Sequence, residues 1–173
     1  TRWLDQDLLS QDEALLKQVF GLLILAHYRT SPDDLRMLLD GPSVRIVGLF
    51  SGSELVSIAL VTREGDLGQA LGDAIWQGRR RPRGHLIPQV LSSFSGFREA
   101  TDLIGDRIMR IAVHPKLHQL GLGTALIEEV YKNSAGDEAD YIGNHLGPLR
   151  TYRSTVESPQ DSSHLVRFPG IYL

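Results

Sequence analysis

The sequence has no cysteine, which excludes a disulfide framework, a cysteine-based zinc site and a thiol nucleophile. Long apolar runs are also missing, since the longest extends only from Val19 to Ala26 and is interrupted by Gly21. Such a run is far too short to cross a bilayer. Strong charge of one sign is absent too, because 21 acidic and 18 basic side chains leave a net charge of −3. The composition therefore excludes a general basic coat for nucleic acid and an acidic disordered tail, and it fits a cytoplasmic location.

The length and composition indicate a single globular domain. The 173 residues are enough to bury a core, with 42% of them apolar and 23% charged, as in ordinary globular domains. The chain begins with Thr1 rather than methionine, so we expect it to be an excised or processed piece of a longer protein. No basic stretch precedes the apolar run, which argues against a signal peptide.

Hydrophobic periodicity and turn residues predict a series of helices and strands. Ser10 and Glu13 are predicted to form a capping box for the first helix, and Ser31 is the predicted cap of the second. Two strands are predicted to form a hairpin through the turn at 51–53. The predicted helices cover 12–28, 31–40, 66–76 and 124–131, and the predicted strands cover 44–50, 55–62, 107–113 and 139–142. Beyond Asn144 the pattern fades.

A strand, a glycine-containing loop and a helix follow one another between Arg110 and Val130. Gly121 and Gly123 permit a close approach of the backbone to a ligand, and the helix that begins there offers unpaired amides and the positive end of its dipole. These features suit a pyrophosphate, while the end of the strand suits an extended ligand that carries amides. Coenzyme A combines both. A tight turn without a ligand is the alternative, because a bare Gly-x-Gly is common before helices.

Three strings in the sequence resemble one protein family. The first resembles motif A of the GNAT acetyltransferases and consists of Arg110 to Pro115 followed by His118-x-x-Gly121-x-Gly123. It departs from the family at His118, where glutamine is usual. The segments 25–35 and 80–86 are similar to the acetyltransferase domain of the tRNA(Met) cytidine acetyltransferases. The resemblance covers roughly residues 10–143.

This resemblance implies an α/β domain of the GNAT fold, with a mixed central sheet flanked by helices and with acetyl-CoA as its cofactor. It implies a GNAT domain at 1–143 and an atypical tail at 144–173, in which only 164–168 resembles a late strand. We therefore expect the fold to be incomplete at its C-terminus. The implied cofactor-binding residues lie at the strand end and in the glycine loop: Ile111, Ala112, Val113, His118, Gln119, Leu120, Gly121, Leu122, Gly123 and Thr124.

The same resemblance implies an N-acetyltransferase domain that transfers acetyl from acetyl-CoA to N4 of the wobble cytidine in elongator methionine tRNA. The helicase and RNA-binding modules of such an enzyme do not fit in 173 residues. Acetyl transfer to a protein or small-molecule amine and a non-catalytic acetyl-CoA-binding module are open alternatives.

Two histidines are candidates for proton transfer, because cytidine N4 is barely basic and must lose a proton. His27 lies at the end of the first predicted helix, beside Tyr28 in the sequence, and His114 follows the last residue of the predicted cofactor strand. Structural roles are the alternatives, namely a histidine stabilised by the helix dipole for His27 and a histidine held by backbone contacts for His114.

Four arginines are concentrated in one short loop: Arg79, Arg80, Arg81 and Arg83. Without them the chain has 14 basic side chains against 21 acidic ones, a net charge of −7. The positive charge is therefore local, which favours binding to an RNA backbone or to the 3′-phosphate of coenzyme A, and a solvated loop is the alternative. The six histidines are scattered without metal-ligand spacing, so we expect no metal site.

Overall fold

The computed structural model describes residues 1–26, 32–144 and 147–151, and both helices and strands occur in these ranges. The strands are β1 (Arg2–Leu4), β2 (Val44–Ser51), β3 (Glu54–Gly65), β4 (Ile104–Val113), β5 (Tyr141–Asn144) and β6 (Gly147–Thr151). The helices are α1 (Gln6–Gln11), α2 (Glu13–Ala26), α3 (Pro32–Asp40), α4 (Gly68–Trp76), α5 (Leu86–Ser93) and α6 (Leu122–Gly136), with 3₁₀ turns at Arg98–Thr101 and Pro115–Leu117.

The strands form one sheet in the order β1-β2-β3-β4-β5-β6. β1 and β2, β2 and β3, and β5 and β6 are antiparallel pairs, whereas β4 and β5 are parallel. The register between β4 and β5 covers Gly105–Arg107, and β4 continues past it to Val113. The predicted α/β fold with a mixed sheet and accompanying helices is confirmed.

The chain divides into two compact units, of which the first comprises 1–62 and 108–133. Its core is formed by apolar side chains of the first three helices and of β2, β3 and β4, among them Leu9, Val19, Leu23, Leu38, Ile46, Ile58, Leu60 and Ala112. The predicted cap of the first long helix is wrong. Ser10 Oγ donates to Asp7 O, and Asp12 Oδ1 instead accepts from Leu15 N at 2.9 Å and caps α2.

The second unit comprises 63–107 and the chain from Ser134 onward. A small apolar core joins α5 to the 3₁₀ turn and to β5, through Ile87, Leu91, Ala100 and Tyr141. Two buried carboxylates are each paired with an arginine, Glu64 with Arg107 and Asp106 with Arg63. Glu64 Oε2 also accepts from Ile87 N at 3.0 Å, so this carboxylate fixes the start of α5.

The predicted elements recur with shifted ends, and α5 is the main element that periodicity does not predict. α5 contains Pro88 in its first turn. A proline is tolerated there, because an N–H at this position has no partner within the helix. The strands β1 and β6 and the short helix α1 were also not predicted. Ser31 and the predicted strand at 164–168 lie outside the described residues.

No helix within the described ranges has the length and apolar character needed to cross a membrane.

Candidate functional site

The end of β4, the loop at 114–121 and the start of α6 form a continuous strand–loop–helix unit. Every residue predicted to bind the cofactor belongs to this segment, and the whole segment lies in the first compact unit. The structure therefore brings the predicted cofactor residues together in one place.

The last part of β4 is fixed to β3 along one edge. His114 N donates to Val56 O at 2.9 Å, and the buried Ser57 Oγ donates to Ala112 O at 3.0 Å. Because successive residues of a strand direct their backbone groups to opposite edges, Ile111 and Val113 direct theirs away from β3. The carbonyl of Ala112 is thus used within the sheet. Sequence reasoning missed Ser57, for which the only signal was a hydroxyl in the middle of an apolar strand.

Two residues of the loop adopt left-handed backbone conformations that shape the entry to α6. Gln119 has a φ of 66° and Gly121 a φ of 76°. Ala125 N donates to Gly121 O at 2.9 Å, which is the first hydrogen bond of the helix. The amides of the three preceding residues, 122–124, therefore have no carbonyl partner within α6, and they point out of its positive end.

Gly123 is the helical residue whose missing side chain keeps this end open. A Cβ atom built at Gly123 would lie 3.7 Å from Val113 Cγ2, which is ordinary contact, so the fold itself does not require glycine there. The lack of a side chain instead leaves the amides uncovered, as a ligand that approaches the backbone needs.

The segment 107–127 contains no acidic residue, and the first turn of α6 contains none either. The first carboxylates that follow are Glu128 and Glu129, and Glu129 accepts hydrogen bonds from Thr1 Oγ1 at 3.0 Å and from Trp3 Nε1 at 3.3 Å. The positive end of the helix is therefore not neutralised by side chains of its own segment, which suits an anion.

Both loop histidines make contacts that fix the turn. His118 Nε2 donates to Val113 O at 3.1 Å and so closes the loop onto the end of β4. His114 Nδ1 accepts from Lys116 N at 3.3 Å and caps the 3₁₀ turn that follows. With Nδ1 as the acceptor, the proton of a neutral His114 ring is on Nε2, which makes that atom a donor.

The arginine loop lies in the second unit, and all four of its guanidinium groups are exposed. Gln89, which the sequence analysis did not single out, holds the loop from α5. Its Nε2 donates to Pro82 O at 3.0 Å, to Gly84 O at 2.6 Å and to His85 O at 3.1 Å. The predicted loop at 79–84 thus has a defined conformation.

The remaining predicted catalytic residue, His27, lies outside the described residues together with Tyr28. Among the described residues, no group of three or more histidine or carboxylate side chains is placed to hold a metal ion.

The amino-acid sequence matches the family model described as GNAT acetyltransferase 2 over residues 18–161. It is 44% identical to the tRNA(Met) cytidine acetyltransferase TmcA of Nitrosococcus halophilus over 144 residues, which are 83% of this chain and 19% of that protein. It is 42% identical to the TmcA of Haloferax volcanii over 146 residues, 84% of this chain and 19% of that protein. The chain thus spans about a fifth of the length of these relatives.

Solved structures with a similar fold include a GNAT family acetyltransferase of Staphylococcus aureus, with a TM-score of 0.52 and 11% identity over 96% of this chain and 95% of that one. A ribosomal-protein-alanine N-acetyltransferase of Brucella melitensis has a TM-score of 0.50 and 15% identity over 96% and 98% of the two chains. The aminoglycoside N-acetyltransferase AAC(6')-Iy in complex with CoA has a TM-score of 0.50 and 11% identity over 83% and 73%. At these identities the likeness concerns the fold alone.

Proposed function

Because the chain belongs to the GNAT acetyltransferase 2 family, we propose that it is the acetyl-CoA-dependent N-acetyltransferase domain of a larger enzyme. The proposed acceptor is a cytidine of methionine tRNA, as the names of the relatives suggest. The resemblance of the strings at 25–35 and 80–86 narrows this proposal to N4 of the wobble cytidine in the elongator tRNA. The observation that carries the proposal is the uncovered, acid-free start of α6 at the end of β4.

The described residues suit two parts of coenzyme A, the pyrophosphate and the pantetheine arm. The amides at 122–124 and the left-handed turn at Gly121 suit its pyrophosphate. The backbone groups of Ile111 and the amide of Val113 face away from β3, where the pantetheine arm is able to pair with them, whereas the Val113 carbonyl accepts from His118. Gln119 and Leu120 shape the loop, and His118 ties it to Val113. Ala112 is buried and its carbonyl accepts from Ser57 Oγ, so we assign it a role in supporting the strand rather than in contacting the ligand.

Acetyl-CoA supplies an acetyl group activated as a thioester, and the cytidine amine attacks it directly. The chain has no cysteine to form a covalent thioester of its own, so the main contribution of its residues is to hold the two reactants together. We assign His114 the role of polarising a carbonyl rather than accepting a proton, since its Nδ1 accepts from Lys116 N and its Nε2 is then the donor. As the new C–N bond forms, the C–S bond of the thioester breaks and CoA leaves as a thiolate. Removal of the amine proton is assigned to His27, and protonation of the departing thiolate to Tyr28, the next residue in the sequence.

The arginine loop is the proposed contact to the tRNA backbone. Arg79, Arg80 and Arg83 have no ion-pair partner within the described part of the chain, and their guanidinium groups match phosphates in geometry. The helicase and RNA-binding modules implied by the resemblance are the proposed partners within the parent chain. A cytoplasmic location stays a prediction.

The test combines binding and turnover on the same preparation. Thermal shift and calorimetry measure binding of acetyl-CoA, and a turnover assay measures acetyl transfer to an unmodified methionine tRNA and to the same tRNA with uridine at the wobble position. We expect binding, and transfer only to the cytidine-containing tRNA. Equal transfer to both, or to amines without RNA, contradicts the cytidine assignment.

Two other outcomes distinguish the open alternatives. Binding of acetyl-CoA without turnover in both the chain and the full-length parent protein indicates a non-catalytic binding module. A flat calorimetric titration with acetyl-CoA contradicts the proposed cofactor site altogether.

A further inference from the structure

An exposed apolar stripe runs along α5 in the second compact unit. It consists of three side chains at intervals of four residues, Leu86, Val90 and Phe94, which are 40%, 39% and 73% exposed. Another face of the same helix is buried through Ile87 and Leu91. We call these three residues the α5 stripe. Spacing by four places them on one side of the helix, so solvent meets a continuous apolar surface there.

The α5 stripe lies next to the arginine loop and to the end of α4. Gln89 Nε2 binds the loop carbonyls, and Arg81 Cζ lies 5.9 Å from the centroid of the Phe94 ring, within reach of a cation–π contact. Ser93 Oγ donates to Ile75 O at 3.0 Å, which brings the last residue of α4, the 40% exposed Trp76, to the same region. Phe94 and Arg81 therefore lie on one surface, next to the loop that carries the other three arginines and to the helix end that carries Trp76.

The segment that carries this surface has positive charge only, and the exposed Glu99 of the adjoining 3₁₀ turn lies outside it. The segment 74–97 contains four arginines and no acidic residue. The nearest carboxylate along the chain, Asp73, is already paired with Arg98, and the buried Glu64 is paired with Arg107. The surface thus combines free guanidinium groups with apolar rings and supplies no anion to balance them.

We infer that the α5 stripe, Trp76 and the arginine loop together form a platform for single-stranded RNA. Phosphates would neutralise the arginines while unstacked bases cover the aromatic rings and the apolar stripe. An apolar protein surface is a poorer match, because it would desolvate four guanidinium groups without pairing them. Duplex RNA is also a poorer match, because its bases are already stacked and leave the rings uncovered.

This inference deepens the proposed function, since it states how the RNA substrate is held, and it is tested apart from acetyl transfer. The probe is a cytidine- and uridine-containing RNA of about ten nucleotides, compared with a duplex of the same length by fluorescence anisotropy. We expect tighter binding of the single strand. Phe94→Ala and Trp76→Ala should each weaken it about tenfold, since a stacked base contributes that much.

The arginine and control variants separate stacking from charge. Arg80→Glu combined with Arg83→Glu should weaken binding and flatten its salt dependence, whereas Phe94→Ala should leave the salt dependence unchanged. Leu8→Ala and Arg36→Glu change an exposed apolar side chain and an exposed arginine of the first unit, and neither should alter RNA binding. The thermal shift with acetyl-CoA should be the same in all these variants.

A spectroscopic readout reports stacking directly. In a Trp3→Phe background Trp76 is the single tryptophan, and its emission should be quenched as the single strand binds.

Three results would overturn the platform: equal affinity for single strand and duplex, unchanged affinity in both aromatic variants, or unchanged Trp76 emission. A further outcome would overturn the platform in favour of a protein interface. In that case the chain self-associates, and Leu86→Glu abolishes the self-association without changing the affinity for RNA. Loss of acetyl-CoA binding with intact RNA binding contradicts the proposed function and leaves the platform standing.

Discussion

The ring of Tyr141 fills the space that Gly105 leaves open on the neighbouring strand. Gly105 of β4 lies opposite Tyr141 of β5 in the parallel register, and a Cβ atom at Gly105 would overlap the Tyr141 ring. Tyr141 is fully buried, and its hydroxyl has no hydrogen-bond partner among the described residues. This pair therefore fixes how closely β4 and β5 approach each other in the second unit.

Gly105→Ala should destabilise the protein, because the added methyl group must displace a buried aromatic ring. Overpacking of this kind costs about 1–3 kcal/mol, measurable by urea unfolding. In a Tyr141→Leu background the same substitution should cost clearly less, since the two residues are in direct contact. Equal costs in the two backgrounds would show that the ring is not what excludes a side chain at Gly105.

Tyr141 should make the protein sensitive to alkaline pH. Burial, followed by the nearby charges of Glu64 and Asp106, raises the pKa of the Tyr141 hydroxyl above its ordinary value of 10.0. The folded protein then keeps a proton that the unfolded chain releases, so this stability is complete below about pH 10 and falls above it by about 1.4 kcal/mol per pH unit.

Tyr141→Phe should remove that decline while leaving stability at neutral pH unchanged or improved, because the hydroxyl it removes has no partner. Urea unfolding at a series of alkaline pH values measures the slope. Tyr131→Phe, which removes a half-buried tyrosine of α6, serves as the control and should keep the decline. The assignment fails if both variants show the slope of the unaltered chain.

Gly123→Glu should abolish binding of acetyl-CoA, because a carboxylate would lie among the amides that are proposed to hold the pyrophosphate. The fold should persist, since a Cβ atom at this position makes only ordinary contact with Val113. Gly136→Glu places the same side chain at the other end of α6, where nothing lies within 4 Å, and should bind normally. Calorimetry compares the two, and unchanged affinity in Gly123→Glu would refute the placement of the cofactor.

His118→Ala should weaken acetyl-CoA binding a few-fold, because it removes the donor that ties the loop to Val113 O. His118→Gln should retain most of the affinity, since a glutamine amide is also a donor and the backbone amides are unchanged. The order of affinities, measured by calorimetry, is the test. If both variants bind as tightly as the unaltered chain, this tie does not shape the site.

Arg107→Met should destabilise the second unit by about 3 kcal/mol, because it leaves the buried carboxylate of Glu64 without its cation. Combining it with Glu64→Gln should restore part of this loss, since the amide oxygen is still able to accept from Ile87 N. Urea unfolding of both variants measures the difference. A double variant no more stable than Arg107→Met would argue against an uncompensated charge as the cause.

Periodicity and motif spacing predicted much of this protein correctly. The hairpin of β2 and β3, the strand β4, the helix α6 and the glycine loop between them follow from local preferences, because apolar spacing and turn residues specify such elements independently of distant contacts. The resemblance to the GNAT acetyltransferases, which rests on motif A and two further strings, is confirmed. The helix α5 was not predicted, because the sequence analysis identified no periodic apolar segment over Leu86–Ser93.

Other features required the tertiary structure. Ser57 becomes significant only because β3 places it against the carbonyl of Ala112, and the α5 stripe only because the opposite face of α5 is buried. The roles assigned to His27 and to the arginine loop remain predictions.

What the sequence determined by itself is the kind of site: glycines, a strand end and an acid-free helix start that together suit a phosphate-bearing ligand. What the tertiary structure decided is which groups are left to bind it. A backbone amide or carbonyl is available to a ligand only where no other group of the protein is hydrogen-bonded to it. The contacts of Ser57 with Ala112 and of His118 with Val113 use two such carbonyls, and the sequence does not reveal them because they depend on how the chain folds.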